Sequence, residues 1–252
     1  MSFAVAADSY DRFMGRYSVP LAPRFADLAD VVTGQRVLDV GCGPGALTTV
    51  LVGLLGADGV VAVDPSEPFV AAARARHPGV QIELASAEQL PFADNEFDAA
   101  LAQLVVHFMA DPVAGLREMG RVTREDGVVA ASVWDHAGGR GPLSPYWSAA
   151  RELDPDVEDE SLLSGAREGH LTELFEAAGI HEIQETYLEV SVEHPTFEDW
   201  WEPFTLGVGP AGGYVARLEP ERRTELRERC RQKFSTEPFV LTSRAWAARG
   251  RV

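Results

Sequence analysis

Val37-Leu-Asp-Val-Gly-Cys-Gly-Pro-Gly45 decides the reading of this chain. Val37, Leu38 and Val40 read as a buried strand, and Gly41, Gly43 and Gly45 then fall at alternate positions. From Ala46 onward the pattern is helical. Glycine reaches positive φ and leaves bare backbone for a ligand to lie against. The helix start adds N–H groups that have no partner inside the helix. Strand, glycine turn and helix together therefore make a ligand-binding device. Working outward, Asp39 stands two residues before the first glycine, and Asp64 ends the next apolar run, Val60–Val63. In an open α/β sheet an acid at that place reaches over the crevice and can accept from two ribose hydroxyls. A nicotinamide dinucleotide and another adenosine compound fit this equally.

The rest of the chain extends the same alternation. Residues 1–9 read as a frayed end, and Pro20 is expected to open a helix running to about Asp30. Strands are expected at Arg36–Val40, Val60–Val63, Val80–Leu84, Phe97–Ala102 and Val128–Trp134. Helices fill the gaps, at Ala46–Leu55, after Pro65-Ser66 to Arg76, and after Asp111-Pro112; Glu125-Asp-Gly127 reads as a turn. Five strands alternating with helices imply a parallel sheet covered on both faces. Beyond it lie a short helix near Tyr146–Leu153, a helix near Glu168–Ala178 closed by Gly179, and a strand at Glu182–Val192. Residues 196–235 read as inserted helices, with a last strand near Phe239–Trp246.

Composition narrows the class. The chain has 252 residues, 46% of them hydrophobic, enough for one good-sized core. Its formal charge of −17 repels nucleic acid at long range, so no nucleic-acid partner is expected. Cys42 and Cys230 form neither a disulfide framework nor metal-ligand spacing, so no metal site is expected. No stretch approaches the apolar length of a membrane span, and the N-terminus carries Asp8, Asp11 and Arg12 where a signal peptide would be apolar. A soluble, cytoplasmic protein with no membrane partner is the expectation.

Taken in order, these motifs resemble the class I S-adenosylmethionine-dependent methyltransferases. Leu38–Gly45 is similar to their first motif and Val61–Ser66 to their second. Ser86-Ala-Glu-Gln-Leu-Pro-Phe92 with Asn95–Asp98 is similar to the adenine-contact loop and fourth strand, and Leu116–Val122 with Gly127–Ser132 to the helix and strand that follow. The subgroup resembled acts on small molecules and is ubiquinone-biosynthesis-like. The resemblance implies an α/β, Rossmann-like fold: a seven-stranded, mostly parallel sheet, helices on both faces, and a helical insertion before the last strand. It implies a single domain over 1–252, with a cofactor-binding core at 30–135 and substrate-capping insertions at 136–165 and 194–237.

It also implies S-adenosylmethionine as cofactor, with S-adenosylhomocysteine as product, and a set of contacts. Asp64 would take the ribose hydroxyls, with Pro65 and Ser66 beside it; Ser66 is equally a helix cap. Gly41, Cys42 and Gly43 would lie under the amino-acid portion and ribose. Asp39 would either tie down the turn or hold the ligand's ammonium. Ser86, Ala87 and Glu88 would flank the adenine, although relatives commonly carry aspartate where Ser86 stands. Gln103 would lie beside the methionine part. Tyr10 and Arg16 would close on its carboxylate; before the resemblance is counted, Arg16 reads as a surface ion-pair partner.

Methyl transfer from a sulfonium needs alignment of the acceptor and exclusion of water, with a general base only for some acceptors. His107, after the fourth strand, is the candidate base and is equally readable as a packed histidine; His136 is a second candidate. Trp134, Tyr146, Trp147, Trp200, Trp201 and Phe204 read either as an aromatic lid over the acceptor or as packing of the insertion. The expected partner is a small-molecule methyl acceptor. Two rivals remain: an NAD(P)-dependent oxidoreductase, for which no Tyr-x-x-x-Lys site is visible, and a non-catalytic binding module on the same fold.

Overall fold

The computed structural model describes residues 7–252. Chain order runs α1 (Ala7–Tyr10), α2 (Arg16–Leu28), β1 (Val37–Val40), α3 (Ala46–Leu55), β2 (Val60–Asp64), α4 (Glu67–Arg76), β3 (Gln81–Leu84) and β4 (Phe97–Gln103). It continues with α5 (Pro112–Val122), β5 (Thr123–Trp134), α6 (Ser144–Leu153), α7 (His170–Ala178) and β6 (His181–His194). The last elements are α8 (Phe197–Trp201), α9 (Gly209–Arg217), α10 (Pro220–Arg231) and β7 (Phe239–Arg251). Among the described residues the strands form one seven-stranded sheet in the order β3-β2-β1-β4-β5-β7-β6. β1 to β5 pair in parallel, while β7 runs antiparallel to both β5 and β6.

The period-two alternation of β1 sorts the core. Leu38 and Val40 face a layer holding Leu116 and Met119 of α5 and Phe175 of α7. Val37 faces the other way, onto Phe25 of α2, Leu47 and Leu51 of α3 and Val70 of α4. Helices thus cover both faces, as a parallel sheet requires. β1 is central and buried throughout, whereas β3, at the edge, is exposed at both ends and fully buried only at Ile82. This order reverses direction between β1 and β4, and ligands of open α/β sheets bind beyond the strand ends at such a switch point.

Two local expectations are corrected. The helix expected to open at Pro20 begins earlier: residues 7–28 are helical throughout, with a wider-wound turn over Asp11–Gly15 and with Pro20 and Pro23 inside the helix. Tertiary packing overrides the local signal: Phe13 is buried against the insertion, and Tyr17 and Leu21 against Trp134 and β7. The frayed end expected at residues 1–9 lies, for residues 1–6, outside the described residues; residues 7–9 belong to α1. The turn expected at Glu125–Gly127 is instead part of β5, where Asp126 has φ +62° and the pairing with β4 shifts register. The helices α8 to α10 stand between β6 and β7 and pack with α6 around Tyr146, Trp200 and Phe204.

Candidate functional site

The glycine turn is clamped to the end of β2. The Gly41 and Cys42 N–H groups both donate to the Val63 carbonyl, at 2.8 and 2.9 Å. Gly41 has φ +70°, and a Cβ there would strike the Val105 side chain at 2.5 Å. Gly43 has φ +55°, yet a Cβ there would meet no atom within 4 Å. The protein itself demands glycine at 41. At 43 the side-chain space is an open floor. Asp64 lies beside it, 5% exposed. Its two oxygens accept the N–H groups of Gly43 and Ser66, each at 2.8 Å. Burial pushes the Asp64 carboxyl up, and the Ser66 and Gly43 N–H bonds pull it part of the way back. Each oxygen keeps further lone-pair capacity for a hydroxyl donor.

Above this floor opens a cleft of about 340 Å³. Of the residues expected at the cofactor, Tyr10, Gly41, Gly43, Asp64, Pro65, Ser66 and Gln103 line it. Gln103 Nε2 donates to the Ser18 carbonyl at 3.1 Å, and its buried Oε1 has no hydrogen-bond partner among the described residues. The floor a Cβ would fill, the acid at the ribose place and the orphaned Gln103 oxygen, an acceptor for an ammonium, fit an adenosine carrying an amino-acid end. Glu67, Pro68, Phe69, Leu104, Val105 and Phe108 complete the lining and were not anticipated. Phe69 follows Ser66 by three residues and meets the Tyr10 ring edge-on at 5.3 Å, so helical spacing from the second motif could have found it. Leu104 carries φ +62°. Such strain leaves no trace in the sequence and gathers at functional sites.

The other expected cofactor residues lie elsewhere. Asp39 is 1% exposed and accepts the Thr48 hydroxyl at 2.6 Å, pinning α3 to β1; burial pushes its carboxyl up to about 7. This is the turn-holding alternative. Cys42 is buried with α3 and α4 residues. Gly45, the third glycine of the turn, makes room for His77, whose Nε2 would stand 2.8 Å from a Cβ there. Arg16 turns to the insertion: its guanidinium donates to Asp199 at 2.7 Å and contacts His194 Nδ1 at 3.0 Å. Ser86, Ala87 and Glu88 are not among the cleft's lining residues. Ala87 sits in the core with Leu116, and Glu88 accepts the Ala110 N–H at 2.7 Å, fixing the loop before α5.

His107 lies in a short helical turn, Val106–Phe108, 6% exposed and 3.9 Å from the Phe108 ring. It lines a second, smaller chamber of about 40 Å³ that shares Tyr10, Leu104 and Phe108 with the cleft. His136 is 5.9 Å from it between ring centroids, and Glu160 lines the same chamber. Burial lowers both histidines, His107 well below the usual range and His136 to about 4, so both imidazoles are neutral near pH 7. His107 Nδ1, His136 Nε2 and Trp134 Nε1 are buried and make no hydrogen bond among the described residues. Burial also pushes Glu160 up to about 7, against the Trp147 Nε1–H that it accepts at 2.8 Å. Of the candidate aromatic lid, Trp134 lines the chamber. Tyr146 and Phe204 stack on each other at 4.5 Å, and Trp147, Trp200 and Trp201 join them in the core of the insertion.

Comparison with known proteins agrees with this geometry. Residues 38–131 match the family model of a methyltransferase domain. An uncharacterized methyltransferase of Mycobacterium tuberculosis is 39% identical over 135 residues, 54% of this chain and 52% of that protein. The chain thus spans about half the length of that relative. Among solved structures, the YcgJ protein of Bacillus subtilis superposes with a TM-score of 0.58 at 19% identity, covering 93% of this chain and 97% of that one. A Haemonchus contortus phosphoethanolamine N-methyltransferase, solved with phosphomonomethylethanolamine and S-adenosylhomocysteine, gives 0.58 at 17% identity, covering 100% of this chain and 60% of that one. Both share the fold.

Proposed function

We propose that this chain, whose residues 38–131 match a methyltransferase-domain family model, is a class I enzyme that transfers a methyl group from S-adenosylmethionine to a small organic acceptor. The observation that carries the reading is the open floor at Gly43 beside Asp64, at the switch point of the sheet. Asp64 takes the ribose hydroxyls, Gln103 takes the ammonium through its orphaned oxygen, and Tyr10 and Phe69 wall the cleft. When bound, S-adenosylmethionine supplies a methyl already activated by the positive sulfur. The protein then has to orient the acceptor and keep water out. The small chamber next to the cleft, sharing Leu104 and Phe108 with it, is where the acceptor's reacting group sits. His107 is the general base there, kept neutral by burial. Residues 136–165 and 194–237 cap this side, supplying His136, Glu160 and Pro210 to the chamber wall.

The acceptor is a small molecule, because the chamber is only about 40 Å³ and the formal charge of −17 disfavours a polyanion. The direct test is release of S-adenosylhomocysteine with a panel of small acceptors. Turnover that depends on acceptor and falls sharply in Asp64→Ala supports the reading. Cofactor binding without turnover on any acceptor would favour a binding module. Among the described residues no helix is long and apolar enough to cross a membrane.

A further inference from the structure

A third cavity, on the solvent side, shares walls with the chamber. Glu160, Gly209 and Pro210 line both the chamber and an outer cavity of about 790 Å³. Cofactor cleft, chamber and outer cavity therefore lie in series. The outer wall carries Asp154, Asp156, Glu158, Asp159 and Glu160 and one lining cation, Arg217; Asp159 is also ion-paired to Arg151. Tyr214 belongs to the same wall, 8% exposed, and its buried hydroxyl has no hydrogen-bond partner among the described residues.

The polar complement of the chamber is equally one-sided. A neutral imidazole brings one acceptor nitrogen, so His107 and His136 can each receive a donor, and a carboxylate accepts at several positions. The Trp147 N–H occupies one of those on Glu160. Against these acceptors stand the unpartnered Trp134 Nε1–H and the one N–H that each neutral imidazole keeps. Tyr10, Phe13, Phe108 and Trp134 in the same lining carry aromatic rings, whose faces attract a cation. A ligand suited to this chamber brings several N–H donors and a positive charge.

Resting on the methyl-transfer reading above, we propose that the acceptor is an amine methylated on nitrogen. It is drawn in as its ammonium form through the acid-walled outer cavity and passed by Glu160 into the chamber. The chamber is small enough to take the head group alone, so the body of the molecule stays in the outer cavity. His107 removes one proton from the ammonium. The freed nitrogen lone pair forms the N–C bond as the methyl–sulfur bond breaks, its electron pair staying on sulfur. The product leaves as the N-methylated ammonium.

The test is calorimetric titration of the protein saturated with S-adenosylhomocysteine, using alkyl and arylalkyl amines and the matched alcohols and carboxylates. Products formed with S-adenosylmethionine are read by mass spectrometry. Amines bind at least about tenfold more tightly than alcohols of the same skeleton, and carboxylates more weakly still. Glu160→Gln weakens amine binding about tenfold and leaves S-adenosylhomocysteine affinity unchanged. The exposed pair Asp156→Asn with Glu158→Gln, which does not touch the core, lowers kcat/KM for the amine a few-fold and flattens its salt dependence. Binding of S-adenosylhomocysteine with no amine preference, with no acceptor bound, or with O-methyl products from the alcohols overturns the amine proposal and leaves the cofactor reading standing. Failure to bind S-adenosylhomocysteine overturns both.

Discussion

The Asp64 carboxylate, at the end of β2, accepts the backbone N–H of Gly43, in the turn after β1, at 2.8 Å. The acid placed for the ribose is also the anchor of the turn beneath it. Its other oxygen takes the Ser66 N–H, so both contacts need an acceptor. Asp64→Asn puts an NH2 group against one of those N–H donors. Affinity for S-adenosylhomocysteine is expected to fall about ten- to a hundredfold, with Tm lowered by a few degrees. Calorimetry and thermal unfolding read the two effects separately.

The two glycines of the turn separate in the same way. Gly41→Ala drives a Cβ into Val105 at 2.5 Å and also strains φ, so it lowers stability by about 2–3 kcal/mol. Gly43→Ala meets no atom and carries only the backbone strain, about 1 kcal/mol, but its methyl projects into the cleft. Urea unfolding should rank Gly41→Ala as the more damaging. Titration should show that Gly43→Ala loses ligand affinity beyond what its stability loss explains.

Arg16 is held by Asp199 and His194, and His194 is met on its other nitrogen by the Tyr17 hydroxyl at 2.9 Å. This network ties α2 to the insertion. Arg16→Ala is expected to lower stability by about 1 kcal/mol, a modest figure because both partners of the ion pair are partly solvated. Affinity for S-adenosylhomocysteine should stay at the parent value. A drop in affinity without a drop in stability would instead put Arg16 on the cofactor.

Burial lowers His107 well below the ordinary histidine value of 6.5, so it is neutral and able to accept a proton across the neutral range. In the Glu160→Gln background, which removes the titration near 7, the acid limb of the kcat/KM profile should therefore lie below pH 6.5, with a plateau above it. His107→Gln should lower kcat by roughly a hundredfold and abolish that limb. A limb that survives the substitution assigns it to another group.

Glu160 titrates at about 7 in the folded protein, against 4.5 for a free glutamate. The native state keeps this proton longer than the unfolded chain. The stabilisation it represents is complete below pH 4.5 and is lost as the pH rises through 7. Glu160→Gln keeps an acceptor for the Trp147 N–H and removes the titration. The variant should gain on the parent by up to about 3 kcal/mol across that window. Urea unfolding at a series of pH values reads the gain as a difference in slope.

Much of the fold was legible because its signals are local. Val37–Val40 and Ala46–Leu55 fall where periodicity and the glycine turn put them. Pro112 at the start of α5, with Asp111 accepting the Ala114 N–H, and Gly179 ending α7 in the left-handed region act as sequence punctuation. The N-terminal helix was misplaced because Phe13 and Tyr17 are ordered by distant partners, in the insertion and against Trp134, which no window around Pro20 contains. The site divides along the same line. The residues of the two motifs that meet at the switch point, Gly41, Gly43, Asp64 and Ser66, all reach the cleft. Arg16 and Glu88 carry charges whose nearest partners lie far along the chain or on the next loop, at Asp199 and Ala110, and the sequence does not say which partner wins. Glu160 went unread because an acid inside an acidic run looks solvated. Only the packing of Trp147 and α9 around it shows that it is buried.

Titration of the parent and of Asp64→Ala with S-adenosylhomocysteine, by calorimetry, tests the central claim most directly. The account predicts one-site binding to the parent with a Kd on the order of micromolar, weakened at least about a hundredfold in Asp64→Ala. Absence of heat with the parent at millimolar ligand, or equal binding by the two proteins, would contradict it.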